Sequence, residues 1–167
     1  MGESMIFACY ATTGKTTLAK KYPYIVDLES SLFKYLQDNR DDLTNEDFKG
    51  LPNRELNPKY PDNFIQWLKK LIAEKTKIIL VSSKQDVKIA LDREGIDYTG
   101  VIFDQGCEDI VLKRLVDRGN NPDYIQKIIN GIPGELELYK DHEPTIKIQD
   151  DEYLEDILIR LNVIPAE

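Results

Sequence analysis

Residues 6–21 read IFACYATTGKTTLAKK, an apolar strand, a tight turn and the start of a basic helix in a single run. Gly14, Lys15 and Thr16 supply the second half of the phosphate-binding pattern G-x-x-x-x-G-K-S/T, and the strand before and helix after are the context that pattern requires. Backbone N–H groups at a helix start have no intrahelical partners, so they converge on an anion, and the helix dipole adds positive potential. Lys15 adds a full charge and the Thr16 hydroxyl can ligate magnesium. Ala11, Thr12, Thr13, Gly14, Lys15, Thr16 and Thr17 are therefore the expected contacts of a nucleoside triphosphate, with Thr16 on the metal. The pattern is incomplete, because Cys9 stands at its first glycine and Thr12 where a middle glycine would ease the turn. The competing reading is a strand, a turn and a basic helix start that happen to spell GKTT.

Outward from this stretch, Pro23 bars continuation of the helix and biases Tyr22 away from helical dihedrals. Residues 24–28, YIVDL, follow as a short apolar run of the kind that reads as a buried parallel strand. In doubly wound sheets ligands sit beyond the carboxyl ends of the strands, which directs Asp27 and Glu29 toward the phosphates. There Asp27 can orient an acceptor or hold magnesium through water; its plainer reading is a cap for a helix starting near Ser31. Residues 37–62 are polar and proline-rich, a loop-rich insertion in which Arg54 is a candidate substrate contact or part of a solvated excursion.

Regularity returns in a helix over 62–75 with Asp62 placed to cap it. Trp67, off the centre of its apolar stripe, either stacks a base or packs against the insertion. Residues 77–81, KIILV, form the next buried strand, closed by Ser82 and Ser83 where a metal-holding Asp would be useful. Ser83 is expected to cap the following helix, and Ser82 and Lys84 are weaker substrate contacts. A fourth strand over 98–103 leads to a helix carrying KRLVDRGNN, residues 113–121. Arg114 and Arg118 are four apart and so share a helical face beside a Gly-Asn-Asn turn. Two guanidiniums there suit phosphoryl transfer, in which a closing lid delivers donors to the transferring oxygens. The alternative is a surface helix whose Asp117 pairs with Lys113. Asn121 and Pro122 mark the next helix start, and Pro133 is expected to interrupt that helix before a second piece ends near Lys140. A fifth strand, TIKI at 145–148, and a closing helix behind acidic caps at Asp150 and Asp151 complete an alternating α/β order, which means a parallel sheet with helices on both faces.

The 167 residues suit one domain spanning 1–167, with a net charge of -8 and a pI near 4.8. Such an acidic balance makes long nucleic acid an unfavoured partner and requires local Lys and Arg around any small anionic substrate. Cys9 and Cys107 are too few for a disulfide scaffold and too far apart for a zinc motif, consistent with a reducing, cytoplasmic setting. No stretch approaches membrane-spanning length.

ATTGKTTLAKKYPYIVDLESS, RLVDRGNN and IQDDEYLEDIL together resemble the small P-loop kinases related to nucleoside monophosphate kinases, in particular nucleotide-kinase-like proteins of phages of Gram-positive bacteria. The resemblance implies a three-layer P-loop kinase fold with a five-stranded parallel sheet in the order 2-3-1-4-5. It implies ATP bound at residues 9–16 with Mg2+, a substrate-binding insertion over about 37–62 and an arginine-bearing lid over about 114–131. Lys15, Asp27, Arg114 and Arg118 would be its catalytic groups, and Glu29, Arg54, Trp67 and Ser82 its substrate contacts. The activity it implies is ATP-dependent phosphoryl transfer to a nucleotide, foremost a (deoxy)nucleoside monophosphate, in a monomer or homodimer. Two other readings are a kinase of a hydroxyl on a modified base, nucleoside or polynucleotide end, and a nucleotide-binding regulatory protein with weak turnover.

Overall fold

Apolar runs flanked by helices become inner strands because both faces of each strand are covered, which leaves little place for the polar half of an alternating pattern. The computed structural model describes residues 4–35 and 56–165, and shows five strands: β1 (Met5–Cys9), β2 (Ile25–Asp27), β3 (Ile78–Ser82), β4 (Thr99–Phe103) and β5 (Thr145–Ile148), of which β1, β3 and β4 are inner. All pairings are parallel and the strand order is β2-β3-β1-β4-β5. The expected alternating α/β architecture and its strand order are both observed. Ile79, Leu80, Val81 and Ile102 on the inner strands are fully buried. Each such side chain contributes roughly 1.5–3 kcal/mol by leaving water, so the sheet supplies much of the cohesion.

Helices flank this sheet: α1 (Lys15–Lys21), α2 (Ser31–Lys34), α3 (Asp62–Ala73), α4 (Gln85–Arg93), α5 (Glu108–Asp117), α6 (Pro122–Leu138) and α7 (Leu154–Arg160). Helix α1 has only 7 residues, below the roughly 12–15 at which an isolated helix holds in water, so its buried Leu18 and the sheet sustain it. It stops where expected, with Tyr22 in the extended region. Asn121 caps α6 as expected by accepting from the Tyr124 N–H at 2.8 Å, with Pro122 in the first turn.

Four local expectations are overturned. Asp62 does not cap α3 but is its first residue, and its carboxylate pairs instead with Arg93 at 3.4 Å. Ser83 does not cap α4; its side chain is buried, and the helix begins at Gln85 after Lys84. Helix α6 runs unbroken through Pro133, whose ring sits on the exposed side of the helix, so tertiary packing of its buried Ile128 and Ile132 outweighs the one backbone bond the proline removes. Helix α7 is capped by Asp156, which accepts from the Tyr153 N–H at 2.9 Å, and not by Asp150 or Asp151. Of the expected insertion over 37–62, only residues 56–62 are described, with Leu56 bridging Tyr35 in antiparallel fashion.

The carboxyl ends of the inner strands meet on one edge. Cys9 is in register with Ser82 on one side and Val101 on the other, and Asp27 with Leu80. Among the described residues no helix is long and apolar enough to cross a membrane.

Candidate functional site

Beyond Cys9 the chain leaves the middle of the sheet and turns through residues 10–14 before entering α1. Cys9 itself is the last residue of β1, so the first glycine of the pattern is not needed for the turn. Burial pushes its thiol up to about 12, against the pull of Lys15, and it stays protonated. The Tyr10 N–H donates to the Val101 carbonyl at 2.9 Å, the Thr13 hydroxyl to the Tyr10 carbonyl at 3.0 Å, and the Leu154 N–H to the Thr13 carbonyl at 2.9 Å. Gly14 adopts φ 93°, and a Cβ there would meet Tyr153 Cδ1 at 3.1 Å, so both conformation and space call for glycine.

Thr12 also takes a left-handed conformation, φ 70°, without being glycine. That costs a non-glycine residue roughly 1–2 kcal/mol. A hydrogen bond from a charged donor contributes roughly 1.5–3 kcal/mol, and Arg114 Nη1 donates one to the Thr12 carbonyl at 2.8 Å. The two are comparable, so this contact is large enough to hold the turn.

The charged groups converge just beyond. Burial pulls the Lys15 ammonium down, but the carboxylates of Glu29 and then Asp27 outweigh it and the net direction is up, which keeps the lysine charged. Thr16 Oγ1 donates to Asp27 Oδ2 at 3.1 Å, joining the end of β2 to the start of α1. These groups stand at a cleft of about 1290 Å³, lined among others by residues 11–17, Glu29, Ser82 and Arg118. Thr12 Oγ1 is buried at the cleft without a hydrogen-bond partner. Among the described residues no cluster of three or more His, Cys, Asp or Glu side chains could hold a metal. The Thr16–Asp27 pair is instead suited to a cation that arrives with its own oxygen ligands, as magnesium does with phosphates.

Lys34, Lys84 and Lys127 line the same cleft. Burial, the neighbouring charges of Lys127 and Lys34, and the more distant Lys15 bring Lys84 down to about 8, against a weaker opposing pull from Asp86. Asp86 is itself engaged, accepting from the Tyr60 hydroxyl at 2.8 Å and pairing with Lys34 at 3.4 Å. Lys34 and Lys127 escape the sequence reading because they come from α2 and α6, elements that only the fold brings together. Tyr153 escapes it too, yet its ring lies beside Gly14.

The other sequence-predicted residues divide. Ser82 lines the cleft and its hydroxyl accepts from the Lys84 N–H at 3.2 Å. Arg118 is exposed at the cleft edge, in the turn that joins α5 to α6. Arg114, expected to share its face in a lid, is 6% exposed and turned inward. Its Nη2 donates to Asp151 Oδ1 and to the Glu152 carbonyl, both at 2.8 Å, and its guanidinium lies 3.8 Å from the Tyr153 ring centroid. Arg118 caps the C-terminal end of α5 with its backbone still helical (φ -79°, ψ -9°) and its N–H donating to the Arg114 carbonyl at 3.1 Å, so the two arginines differ in burial and not in helical phase. Within 114–131, Ile128 belongs to the core and accepts from the Tyr10 hydroxyl through its carbonyl. Trp67 is not among the cleft-lining residues; it is 44% exposed, tilted against Phe33 with Lys70 Nζ over its ring. Arg54 lies outside the described residues.

No protein-family model and no curated protein sequence matches the chain. A solved structure of an uncharacterized protein from Eubacterium ventriosum is similar at 16% identity with a TM-score of 0.47, covering 96% of this chain and 98% of that one.

Proposed function

We propose that the chain is a P-loop phosphotransferase that moves the terminal phosphoryl group of a magnesium-bound nucleoside triphosphate, foremost ATP, to a nucleotide acceptor, as (deoxy)nucleoside monophosphate kinases do. The observation that carries the reading is the composition of one cleft. Lys15 and the Thr16–Asp27 pair stand at the β1 turn, and Lys34, Lys84 and Lys127 gather beside the end of β3. One anion engages the first group; in the second, Lys34 pairs with Asp86 at 3.4 Å, while Lys84 and Lys127 have no ion pair among the described residues, which suits a second anion in a protein of net charge -8. A phosphorylated acceptor meets that demand, whereas a neutral hydroxyl does not.

The donor set fits a polyphosphate. Lys15 is held charged, the buried Thr12 hydroxyl has an unused donor, and Thr16 with Asp27 offers oxygens to a metal that keeps most of its shell from phosphate and water. When bound, Mg2+ neutralises charge on the phosphates and orients them. Lys15 then stabilises negative charge on the terminal groups, and Arg118 at the cleft edge is placed to meet the transferring group. The bond from the terminal phosphorus to its bridging oxygen breaks, the diphosphate leaves with that electron pair, and the new bond forms to an acceptor phosphate oxygen that carries no proton. No side chain has to act as general base. If the acceptor were a hydroxyl a general base would be required, and among the described residues Glu29 is the carboxylate beside Lys15 that lines the cleft.

The test is an ATP-consumption screen across deoxynucleoside monophosphates, nucleosides and polynucleotide ends, run beside Lys15→Ala. Turnover with monophosphates, reduced at least about 100-fold in Lys15→Ala, is expected. Turnover confined to nucleosides or polynucleotide ends would favour the hydroxyl kinase. ATP binding without turnover on any acceptor would favour a nucleotide-responsive regulator, and absence of ATP binding would overturn the assignment.

A further inference from the structure

The geometry points to Arg114 as the positioning residue of the phosphate loop: it holds Thr12 in the left-handed conformation that glycine would otherwise supply, and ties the loop to the segment that opens α7. This inference rests on the reading of the β1–α1 turn as a polyphosphate site.

Three observations meet at one side chain. First, Thr12 is β-branched and left-handed at φ 70°, a conformation such residues rarely keep unless their surroundings impose it. Second, the Thr12 carbonyl accepts from Arg114 Nη1, a charged donor 102 residues away in sequence, on a side chain that is 6% exposed. Third, the guanidinium is itself immobilised. Nη2 is shared between Asp151 and the Glu152 carbonyl, and the Tyr153 ring covers one face. The same segment touches the turn twice more, through the Leu154 N–H on the Thr13 carbonyl and through Tyr153 against Gly14. Thr12, Thr13 and Gly14 are thus each held, directly or through Arg114, by residues 151–154. A guanidinium so engaged is not free to reach a transferring phosphoryl group. Its effect on the chemistry runs through the loop, whose amides must already be arranged when a polyphosphate arrives.

Lysine keeps the charge but lacks the planar fork that serves Thr12, Asp151 and Glu152 together, and methionine keeps the bulk alone. The experiment compares wild type, Arg114→Lys and Arg114→Met, and then Arg114→Met with Thr12→Gly, by two measurements. One is the affinity for ATP with Mg2+ by titration calorimetry. The other is hydrogen exchange of the loop amides, residues 11–16, in the protein without nucleotide. Both single variants are expected to weaken ATP binding about tenfold and to speed loop exchange by a similar factor, the ratio that matches the cost of an unsupported left-handed residue. Thr12→Gly is expected to restore most of the loop protection in the Arg114→Met background, because glycine needs no restraint there. A purely structural role for Arg114 predicts the opposite, since removing a methyl and hydroxyl from the loop does nothing for a buried cavity in α5. Loop exchange within threefold of wild type in Arg114→Lys, or no recovery on adding Thr12→Gly, would overturn the inference. If Arg114→Met fails to fold, Arg114→Lys with and without Thr12→Gly gives the same comparison. Should the wild-type protein bind no nucleotide, the phosphotransfer reading falls, and the exchange measurement alone decides the role of Arg114.

Discussion

Glu135 shows how far one residue's surroundings can move its chemistry. It sits on α6 beside Ser83 and Lys84, partly closed off from water, and burial pushes its carboxyl up to about 7 although Ser83 and Lys84 pull it back. The unfolded value lies near 4.5, below the folded one. The stability it contributes is therefore complete below about pH 4.5 and is lost as pH rises through about 7, because the folded state must then hold a charge it disfavours. Replacing it with glutamine, which stays neutral, should remove this dependence. Urea unfolding at pH 5 and pH 8 is expected to show Glu135→Gln gaining on the order of 1–2 kcal/mol over wild type at the higher pH, once solvent at the partly open position is allowed for. An equal difference between the two proteins at both pH values would mean that the carboxyl titrates normally.

At the level of elements, α6 is seated by its closest approach to the turn after β1. Gly131 faces Tyr10 so closely that a Cβ there would overlap the Tyr10 hydroxyl oxygen, which is itself bonded to the Ile128 carbonyl one turn earlier. Alanine is the better helix former by roughly 1 kcal/mol, yet here it must displace a buried ring. Thermal or urea unfolding of Gly131→Ala is expected to show a loss of about 1–3 kcal/mol, and a gain in stability would show that the ring gives way freely. This contact also marks where sequence stops being informative. The strands themselves, the stop before Pro23 and the Asn121 cap were legible because each rests on neighbours a few residues apart: apolar runs, a missing N–H, a side chain reaching its own helix start; the strand order came only from the resemblance. Lys15, Thr16 and Ser82 were legible as cleft residues for a related reason, since the carboxyl ends of parallel strands must meet, whereas Asp27 reaches the site through its bond to Thr16 and does not line the cleft. What Arg114 does was not, because its partners are Thr12 and Asp151, 102 and 37 residues away. Helical spacing assigned it to the same side as Arg118, but spacing says nothing about which of the two is covered, and Arg114 is 6% exposed while Arg118 is exposed at the helix end. Pro133 misled for a similar reason: a proline costs a helix one bond and a clash, but the packing of Ile128 and Ile132 that holds α6 in place comes from the rest of the fold.

Taken whole, the molecule carries its charge unevenly. The net charge is -8, yet Lys15, Lys34, Lys84 and Lys127 gather at one cleft. A long polyanion must approach the acidic exterior along with the cleft, whereas a small one can settle beside these lysines and away from the carboxylates, Glu29 and Glu155 among them, that also line it. The same crowding makes the cleft sensitive to pH, because each ammonium raises the cost of charging its neighbour. Lys84 shows this most plainly: burial, then Lys127 and Lys34, hold it at about 8, so near that pH it is only partly charged. A bound anion favours the charged form, and a site that loses a charge on deprotonation loses affinity. Binding of a nucleoside monophosphate, measured by calorimetry from pH 6.5 to 9.5, is therefore expected to be strongest below about 8 and to weaken several-fold above it. Arginine stays protonated throughout this range, so Lys84→Arg should flatten the profile above pH 8 while the acidic limb is unchanged. Raising the ionic strength should weaken binding in both proteins, less steeply in Lys84→Ala, which has one charge fewer to screen. A wild-type profile with no decline between pH 7 and 9.5 would place the acceptor's phosphate away from Lys84 and shift attention to the arginine at the cleft edge, Arg118.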